Sequence, residues 1–104
     1  LIGCSKDATN DAFAQCLTEK GVTMYGAFWC PHCKAQKELF GDSWQFVTYV
    51  ECSLPNGQGQ TEFCRQIGIE GYPTWEFPDG SRQSGEVPFN QLSERSGCPL
   101  PAGN

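Results

Sequence analysis

Seven cysteines in 104 residues constrain this chain more than any other feature of its sequence. A domain of this length buries only about 60–70% of its unfolded surface, so covalent cross-links would add substantially to its stability. Cysteines at this density in a small domain are typical of an oxidising compartment, where disulfides persist. We therefore expect one disulfide-containing domain in a periplasmic, extracytoplasmic or lumenal setting. The cysteines are Cys4, Cys16, Cys30, Cys33, Cys52, Cys64 and Cys98.

A structural zinc site is the main alternative use for so many cysteines. Zinc modules take paired ligands, such as two C-x2-C motifs. Only Cys30 and Cys33 have that spacing, and His32 is the single histidine that would supplement them. The sequence therefore predicts no metal site, and nothing in it calls for an organic cofactor.

The charge and hydropathy of the chain exclude further classes. It carries 7 Lys and Arg against 12 Asp and Glu, a net charge of −5. Nucleic acids and anionic membrane surfaces attract the opposite charge, so we expect neither as a partner, and we expect a monomer. The longest apolar stretch, residues 22–30, is far shorter than the ~20 residues of a spanning helix.

The first four residues, Leu1-Ile2-Gly3-Cys4, resemble a bacterial lipobox, in which the cysteine is lipidated after cleavage. The alternative is a boundary cut after a linker or a membrane helix. Either interpretation would tether the domain to a membrane, through Cys4 or through a missing N-terminal segment. We expect residues 1–8 to be a tail or linker, residues 9–97 the folded domain and residues 98–104 a C-terminal tail.

Hydrophobic periodicity and turn residues predict eight elements. Helices are expected over residues 9–20, 31–40, 61–67 and 88–96, and strands over residues 22–29, 46–52, 74–77 and 82–85. Both of the first two strands are expected to be buried, and the first and last helices are expected on opposite faces of the sheet. The order α-β-α-β-α-β-β-α predicts an α/β fold whose sheet begins parallel and ends in an antiparallel hairpin.

The segment Cys30-Pro31-His32-Cys33 lies between a predicted strand and a predicted helix, the context in which C-x-x-C is a redox motif. Pro31 suits the first turn of the helix. Cys30 lies where free N–H groups and the helix dipole favour its thiolate. His32 would stabilise that thiolate further. Cys33, one turn later, is covered and suits the resolving thiol. A plain structural disulfide is the alternative, but so short a ring adds little stability.

Two stretches resemble thioredoxin-like proteins: FWCPHC at residues 28–33 and GYPT at residues 71–74. The resemblance implies a thioredoxin-like fold with a central mixed sheet flanked by helices. It also implies that Pro73 follows a cis bond and packs against the cysteine motif. Tyr72 would then offer main-chain groups to an extended substrate peptide. Trp29, just before the motif, would line the same groove.

The dipeptide of the motif is similar to that of DsbA, a periplasmic disulfide oxidant. A closer resemblance is to the thioredoxin-like domain joined to vitamin K epoxide reductase homologues, and it covers nearly the whole chain. This resemblance implies that electrons pass from substrate thiols to a membrane reductase that reduces a quinone. It rests on MYGAFWCPHC (residues 24–33), QKELFG (36–41), YVEC (49–52) and YPTW (72–75).

The chain departs from ordinary thioredoxin at Met24, where that protein has a buried aspartate. Without that carboxylate, a fast reductase is less favoured than an oxidant in which Cys33 resolves the mixed disulfide slowly. Glu51 on the next strand is the alternative acceptor for the Cys33 proton, if it points inward. Lys34, Lys37 and Glu38 are expected to form a solvated helix face.

The remaining cysteines leave the pairing open. The resemblance implies a second pair at Cys52 and Cys64, which is favoured as a structural disulfide over a second redox pair. Cys4 and Cys16 would bridge and leave Cys98 free, or lipidation of Cys4 would leave Cys16 and Cys98. A further interpretation is that Cys16 is a buried free thiol beside Leu17.

The leading hypothesis is a thiol–disulfide oxidoreductase that donates a disulfide to substrate proteins with free thiols. A reductase or isomerase with the same chemistry in the opposite direction is the second hypothesis. The third is a non-catalytic module that uses the groove at Tyr72 and Pro73 to bind peptides.

Overall fold

The computed structural model describes residues 10–101, which form four strands, four α-helices and one 3₁₀ helix. The lipobox interpretation and the N-terminal tail lie outside the described residues. The strands are β1 (Thr23–Gly26), β2 (Thr48–Glu51), β3 (Thr74–Glu76) and β4 (Arg82–Ser84). The α-helices are α1 (Asp11–Glu19), α2 (Pro31–Phe40), α3 (Glu62–Gln66) and α4 (Phe89–Ser96).

The four strands form one mixed sheet in the order β2-β1-β3-β4. β1 and β2 are parallel, whereas β3 is antiparallel to both β1 and β4. The expectation of a parallel sheet therefore holds only for the first pair. β3 runs opposite to β1, so the connection from β2 through α3 to β3 does not complete a second parallel crossover.

The two faces of the sheet carry unequal layers. One face packs against α1, α2 and α4, with Phe13, Phe40 and Leu92 in its core. The other face packs against α3, around Tyr25 and Ile69. The expectation that the first and last helices lie on opposite faces is wrong: the rings of Phe13 on α1 and Phe89 on α4 are 5.0 Å apart. Trp75 and Phe77 are also buried.

β2 is an edge strand, and its residues are partly or fully exposed. The expectation of a second fully buried strand is wrong, because within residues 10–101 β2 has a neighbouring strand, β1, on one side only. The 3₁₀ helix Gly41–Phe46 precedes β2. The sequence pattern did not predict this 3₁₀ helix, because a glycine such as Gly41 ordinarily marks the end of a helix. Its Trp44 ring packs against Phe40 and Tyr49, at 5.6 and 5.7 Å between ring centroids.

One buried side chain joins α2 to the segment before α4. Gln36 accepts hydrogen bonds from the Trp75 indole N–H (3.1 Å) and the Val87 N–H (2.7 Å). Its amide N–H also donates to the Val87 carbonyl oxygen (3.0 Å). These three bonds satisfy polar groups that burial would otherwise leave unpaired, and they fix the helix that follows the cysteine motif.

Two disulfides cross-link the described part of the chain. Cys52 pairs with Cys64, and both are fully buried. Cys16 pairs with Cys98 across 82 residues of sequence, which joins α1 to the segment after α4. The interpretations of Cys16 as a free thiol, of a Cys4–Cys16 bridge and of a free Cys98 are therefore wrong. Their error follows from the helix placement, because α1 and α4 share one face of the sheet.

No helix within residues 10–101 combines the length and the apolar character that crossing a membrane requires. In the same residues, no group of three or more His, Cys, Asp or Glu side chains is arranged to hold a metal ion.

Candidate active site

Cys30 and Cys33 are the free cysteines among the described residues, and both lie at the start of α2. Cys30 is the N-cap residue with an extended backbone, and Pro31 occupies the first turn, as expected of a proline. Cys30 is 6% exposed and Cys33 is fully buried. The helix start thus presents one sulfur near the surface and holds the second behind it.

Burial raises the pKa of the Cys33 thiol from 9.0 to about 12, since no water reaches a thiolate at this position. A main-chain hydrogen bond from Ala27 and the positive charge of Lys37 act in the opposite direction but are weaker. Cys33 therefore keeps its proton at neutral pH in the reduced chain. It can act as a nucleophile only when that proton is removed.

The loop before β3 forms the second wall of the site. The Tyr72–Pro73 peptide bond is cis, and Pro73 is buried. The Cys30 thiol donates a hydrogen bond to the Tyr72 carbonyl oxygen, with 3.7 Å between sulfur and oxygen. An extended peptide bound along Tyr72 would therefore lie directly beside the Cys30 sulfur.

Trp29 is 48% exposed and lies beside this wall. Its ring meets Tyr72 edge to face, with 5.8 Å between centroids, and its indole N–H donates to the Ser53 hydroxyl oxygen (2.9 Å). Phe28 and Leu54 are also exposed, at 45% and 38%. The surface around Cys30 is thus apolar, as a surface for thiol-bearing polypeptides would be.

His32 is exposed and points toward the segment before α4. Its Nδ1 is 2.7 Å from a carboxylate oxygen of Glu86. Glu86 was not singled out in the sequence, because no local pattern brings residue 86 near residue 32. The role of His32 in stabilising the Cys30 thiolate stays a prediction.

Tyr49 and Glu51 are site residues whose arrangement the sequence pattern did not reveal. They lie at alternate positions of β2, on the face that packs against α2, and the Tyr49 hydroxyl donates to Glu51 (2.9 Å). The Lys37 ammonium lies 4.5 Å from the centre of the Tyr49 ring. Lys37 is therefore partly buried, so the expectation of a solvated face holds for Lys34 and Glu38 and only in part for Lys37. Alternation along the strand was the available signal, since it places residues 49 and 51 on one side.

A mixed sheet flanked by helices is compatible with an α/β thioredoxin-like fold, and two adjacent thiols at a helix start support thiol–disulfide redox chemistry. No family model matches the chain. The chain is 41% identical over 98 residues to a protein of Arabidopsis thaliana named thiol-disulfide oxidoreductase LTO1. This alignment covers 89% of the chain and 26% of the relative, so the chain spans about a quarter of that protein's length. The similarity supports a protein thiol–disulfide oxidoreductase.

Proposed function

We propose that this chain is a thioredoxin-like domain that donates a disulfide to substrate proteins with free thiols in an oxidising compartment. The observation that carries the proposal is the arrangement of Cys30 at the start of α2. Its sulfur is hydrogen-bonded to the Tyr72 carbonyl oxygen, and Cys33 is buried behind it. A substrate peptide paired with Tyr72 would bring its own sulfur to Cys30 and to no other sulfur of the site.

The reaction begins with the Cys30–Cys33 disulfide. A substrate thiolate attacks the Cys30 sulfur, the bond between the two motif sulfurs breaks, and Cys33 leaves with the electron pair and takes up a proton. A second substrate thiolate then attacks the substrate sulfur of this mixed disulfide. The substrate becomes oxidised, and Cys30 is released as a thiolate. The helix N-terminus favours that negative charge.

The raised pKa of Cys33 supports donation over reduction. A thiol that retains its proton is a slow nucleophile. The mixed disulfide on Cys30 therefore persists long enough for the second substrate thiol to attack. Met24, which is fully buried, supplies no carboxylate to hasten the competing attack by Cys33.

The compartment and the recycling partner are part of the same proposal. The Cys16–Cys98 and Cys52–Cys64 disulfides are in keeping with an oxidising compartment, periplasmic, extracytoplasmic or lumenal. The resemblance to domains joined to vitamin K epoxide reductase homologues supports a membrane reductase of that type, which would reoxidise the Cys30–Cys33 pair and pass the electrons to a quinone.

The test is equilibration of the chain with glutathione buffers, followed by alkylation of free thiols and mass measurement. A disulfide donor should titrate with a potential above about −200 mV, whereas a value below about −250 mV would indicate a reductase. Among the cysteines of residues 10–101, only Cys30 and Cys33 should titrate in this range.

Matched variants separate catalysis from peptide binding. Cys30→Ser should abolish oxidation of a reduced, unfolded substrate protein. Cys33→Ser whose Cys30 has first been joined to glutathione by glutathione disulfide should exchange the glutathione for a mixed disulfide with that substrate. Equal substrate oxidation by wild type and Cys30→Ser would indicate that the chain is a non-catalytic module that binds peptides.

The recycling partner is tested by incubating the reduced chain with membranes that contain a vitamin K epoxide reductase homologue and a quinone. Reoxidation that does not depend on the quinone would contradict it.

A further inference from the structure

The loop closed by the Cys52–Cys64 disulfide has both of its ends fixed. We call residues 53–60 the disulfide loop. Its first and last residues, Ser53 and Gln60, pair across the loop as an isolated antiparallel bridge. The covalent bond between the two buried cysteines lies just outside this bridge. The side chains at the base of the loop are therefore held at a constant separation.

Ser53, at the start of the disulfide loop, holds the Trp29 ring. Its hydroxyl oxygen accepts from the Trp29 indole N–H (2.9 Å), and its hydroxyl donates to the Leu54 carbonyl oxygen (2.9 Å). Ser53 itself is buried, and its main-chain N–H donates to the Glu51 carboxylate (3.0 Å). Because the serine is bound on both sides, it keeps the half-exposed indole in one orientation.

Gln60, at the end of the disulfide loop, holds the Tyr72 ring. Its amide nitrogen donates to the Tyr72 hydroxyl oxygen (3.1 Å) and to the Ile69 carbonyl oxygen (2.7 Å). Both N–H groups of the amide are thus used, one on the ring hydroxyl and one on the main chain. The rings of Trp29 and Tyr72 meet edge to face. Each of them is bound to one end of the same loop.

The middle of the disulfide loop passes close to the same surface. Gly57 has a positive φ of 77°, and a side-chain carbon there would lie 3.7 Å from a Trp29 ring carbon and 3.9 Å from a Phe28 ring carbon. Leu54 adds an exposed apolar side chain. The loop therefore belongs to the apolar surface around Cys30 and also orients the rings that form it.

We propose that the disulfide loop sets the substrate specificity of this surface, with Ser53 and Gln60 as positioning residues. The inference rests on the proposed function, in which a substrate peptide pairs in extended form with Tyr72. Trp29 and Tyr72 are already oriented before the peptide binds. Binding therefore does not require these rings to lose further rotational freedom, which would weaken it.

The periodicity of an extended peptide defines which substrates this surface favours. Successive side chains of such a peptide point to opposite sides, so those two residues apart share a side. A substrate cysteine that faces Cys30 therefore directs the side chain two residues away toward the same surface. An aromatic or large aliphatic side chain there would bury apolar area against Trp29. The favoured substrates are peptides with such a side chain two residues from the reacting cysteine.

The experiment measures how fast the oxidised full chain oxidises two peptides. Each peptide has two cysteines, with either phenylalanine or serine two residues from each cysteine. The peptide is in excess, and acid quenching with mass measurement gives the fraction of the chain that is reduced at each time. In wild type, the phenylalanine peptide should react about tenfold faster at low concentration, on the order of burying one aromatic side chain. The limiting rates at high concentration should differ less than twofold, since the same sulfurs react.

Ser53→Ala releases the indole, and Gln60→Leu releases the phenol. Each variant should lower the ratio of the two low-concentration rates from about ten to about three or less. The ratio is informative because a general defect at the Cys30–Cys33 disulfide would slow both peptides alike. The matched control is Ser96→Ala, which removes a buried serine hydroxyl at the end of α4 that accepts from the Cys98 N–H. It should keep the wild-type ratio.

A double variant tests whether Ser53 acts through Trp29. Trp29→Phe removes the indole N–H, so the addition of Ser53→Ala should change the ratio by less than about twofold. A further loss as large as in the wild-type background would overturn the assignment, because Ser53 would then act by another route.

A wild-type ratio near one would also overturn the assignment, as would an unchanged ratio in both Ser53→Ala and Gln60→Leu. Failure of the proposed function has a different outcome. The oxidised wild type and Ser96→Ala would then leave both peptides reduced, and the role of the disulfide loop would fall with it.

Discussion

Raising the pH should lower the free energy of unfolding of the reduced wild-type domain. It should lower that of a variant without the Cys33 thiol by less. Burial raises the pKa of Cys33 from 9.0 to about 12 in the folded chain. In the unfolded chain the same thiol is solvated and ionises near its ordinary value. In the oxidised chain, Cys33 is part of a disulfide and has no proton to lose.

The sign follows from the number of protons bound by each state. Between about pH 9 and pH 12, the unfolded chain has lost the Cys33 proton and the folded chain has kept it. The free energy of unfolding therefore falls as the pH rises through this window. The stability that the protonated Cys33 thiol contributes is fully present below about pH 9. One pKa unit corresponds to about 1.36 kcal/mol, so the whole window corresponds to roughly 4 kcal/mol. That is a large part of the ~5–15 kcal/mol that stabilise a typical domain.

The assay is urea unfolding of the reduced wild type and of Cys33→Ala, at about pH 8 and about pH 10.5. The alanine variant loses packing at both pH values, so the informative quantity is the difference between the two proteins. Wild-type stability should fall toward that of the variant by about 2 kcal/mol over this range. The oxidised wild type, which has no free Cys33 thiol, serves as a second control. A difference that stays constant with pH would refute the reasoning, because Cys33 would then ionise alike in both states.

Three further predictions concern the framework of the site. Replacing Cys16 and Cys98 by alanine should cost about 4.5 kcal/mol of unfolding free energy, and replacing Cys52 and Cys64 about 3 kcal/mol, because the first pair closes the longer loop. Equal losses in urea unfolding would contradict this. Gln36→Leu should cost about 3 kcal/mol through three lost buried hydrogen bonds, whereas Gln45→Leu, at an exposed position, should change the unfolding midpoint little. Glu86→Gln should alter stability by less than about 1 kcal/mol, since its contact with His32 is exposed; a larger loss would show that the contact does more than join two surface groups.

Local sequence signals predicted the elements that depend on local physics. The bounds of α2 were predicted exactly at residues 31–40, because Pro31 starts the helix and Gly41 at its end has a positive φ of 59°. The helix predicted over residues 88–96 is present as α4, and its Leu92 and Phe89 pack into the core at helical spacing. The cysteine motif was recognisable because its chemistry depends on neighbouring residues.

Features that depend on long-range packing were not predictable. The Cys16–Cys98 pair, the contact of His32 with Glu86 and the position of Lys37 over Tyr49 all join residues whose proximity is set by which face each helix occupies. Periodicity predicts that a helix has an apolar side, but not which layer it joins. The edge position of β2 was missed for the same reason, since strand order is a property of the whole sheet.

The unequal exposure of the two motif sulfurs limits how the domain can exchange electrons. Cys33 is completely covered, and Cys30 is the sulfur that reaches the surface. In the proposed cycle, a protein to be oxidised and a protein that restores the oxidised state would both have to dock at that one atom, so they would exclude each other. Such a cycle would follow ping-pong kinetics, and a high concentration of either protein should inhibit the other competitively.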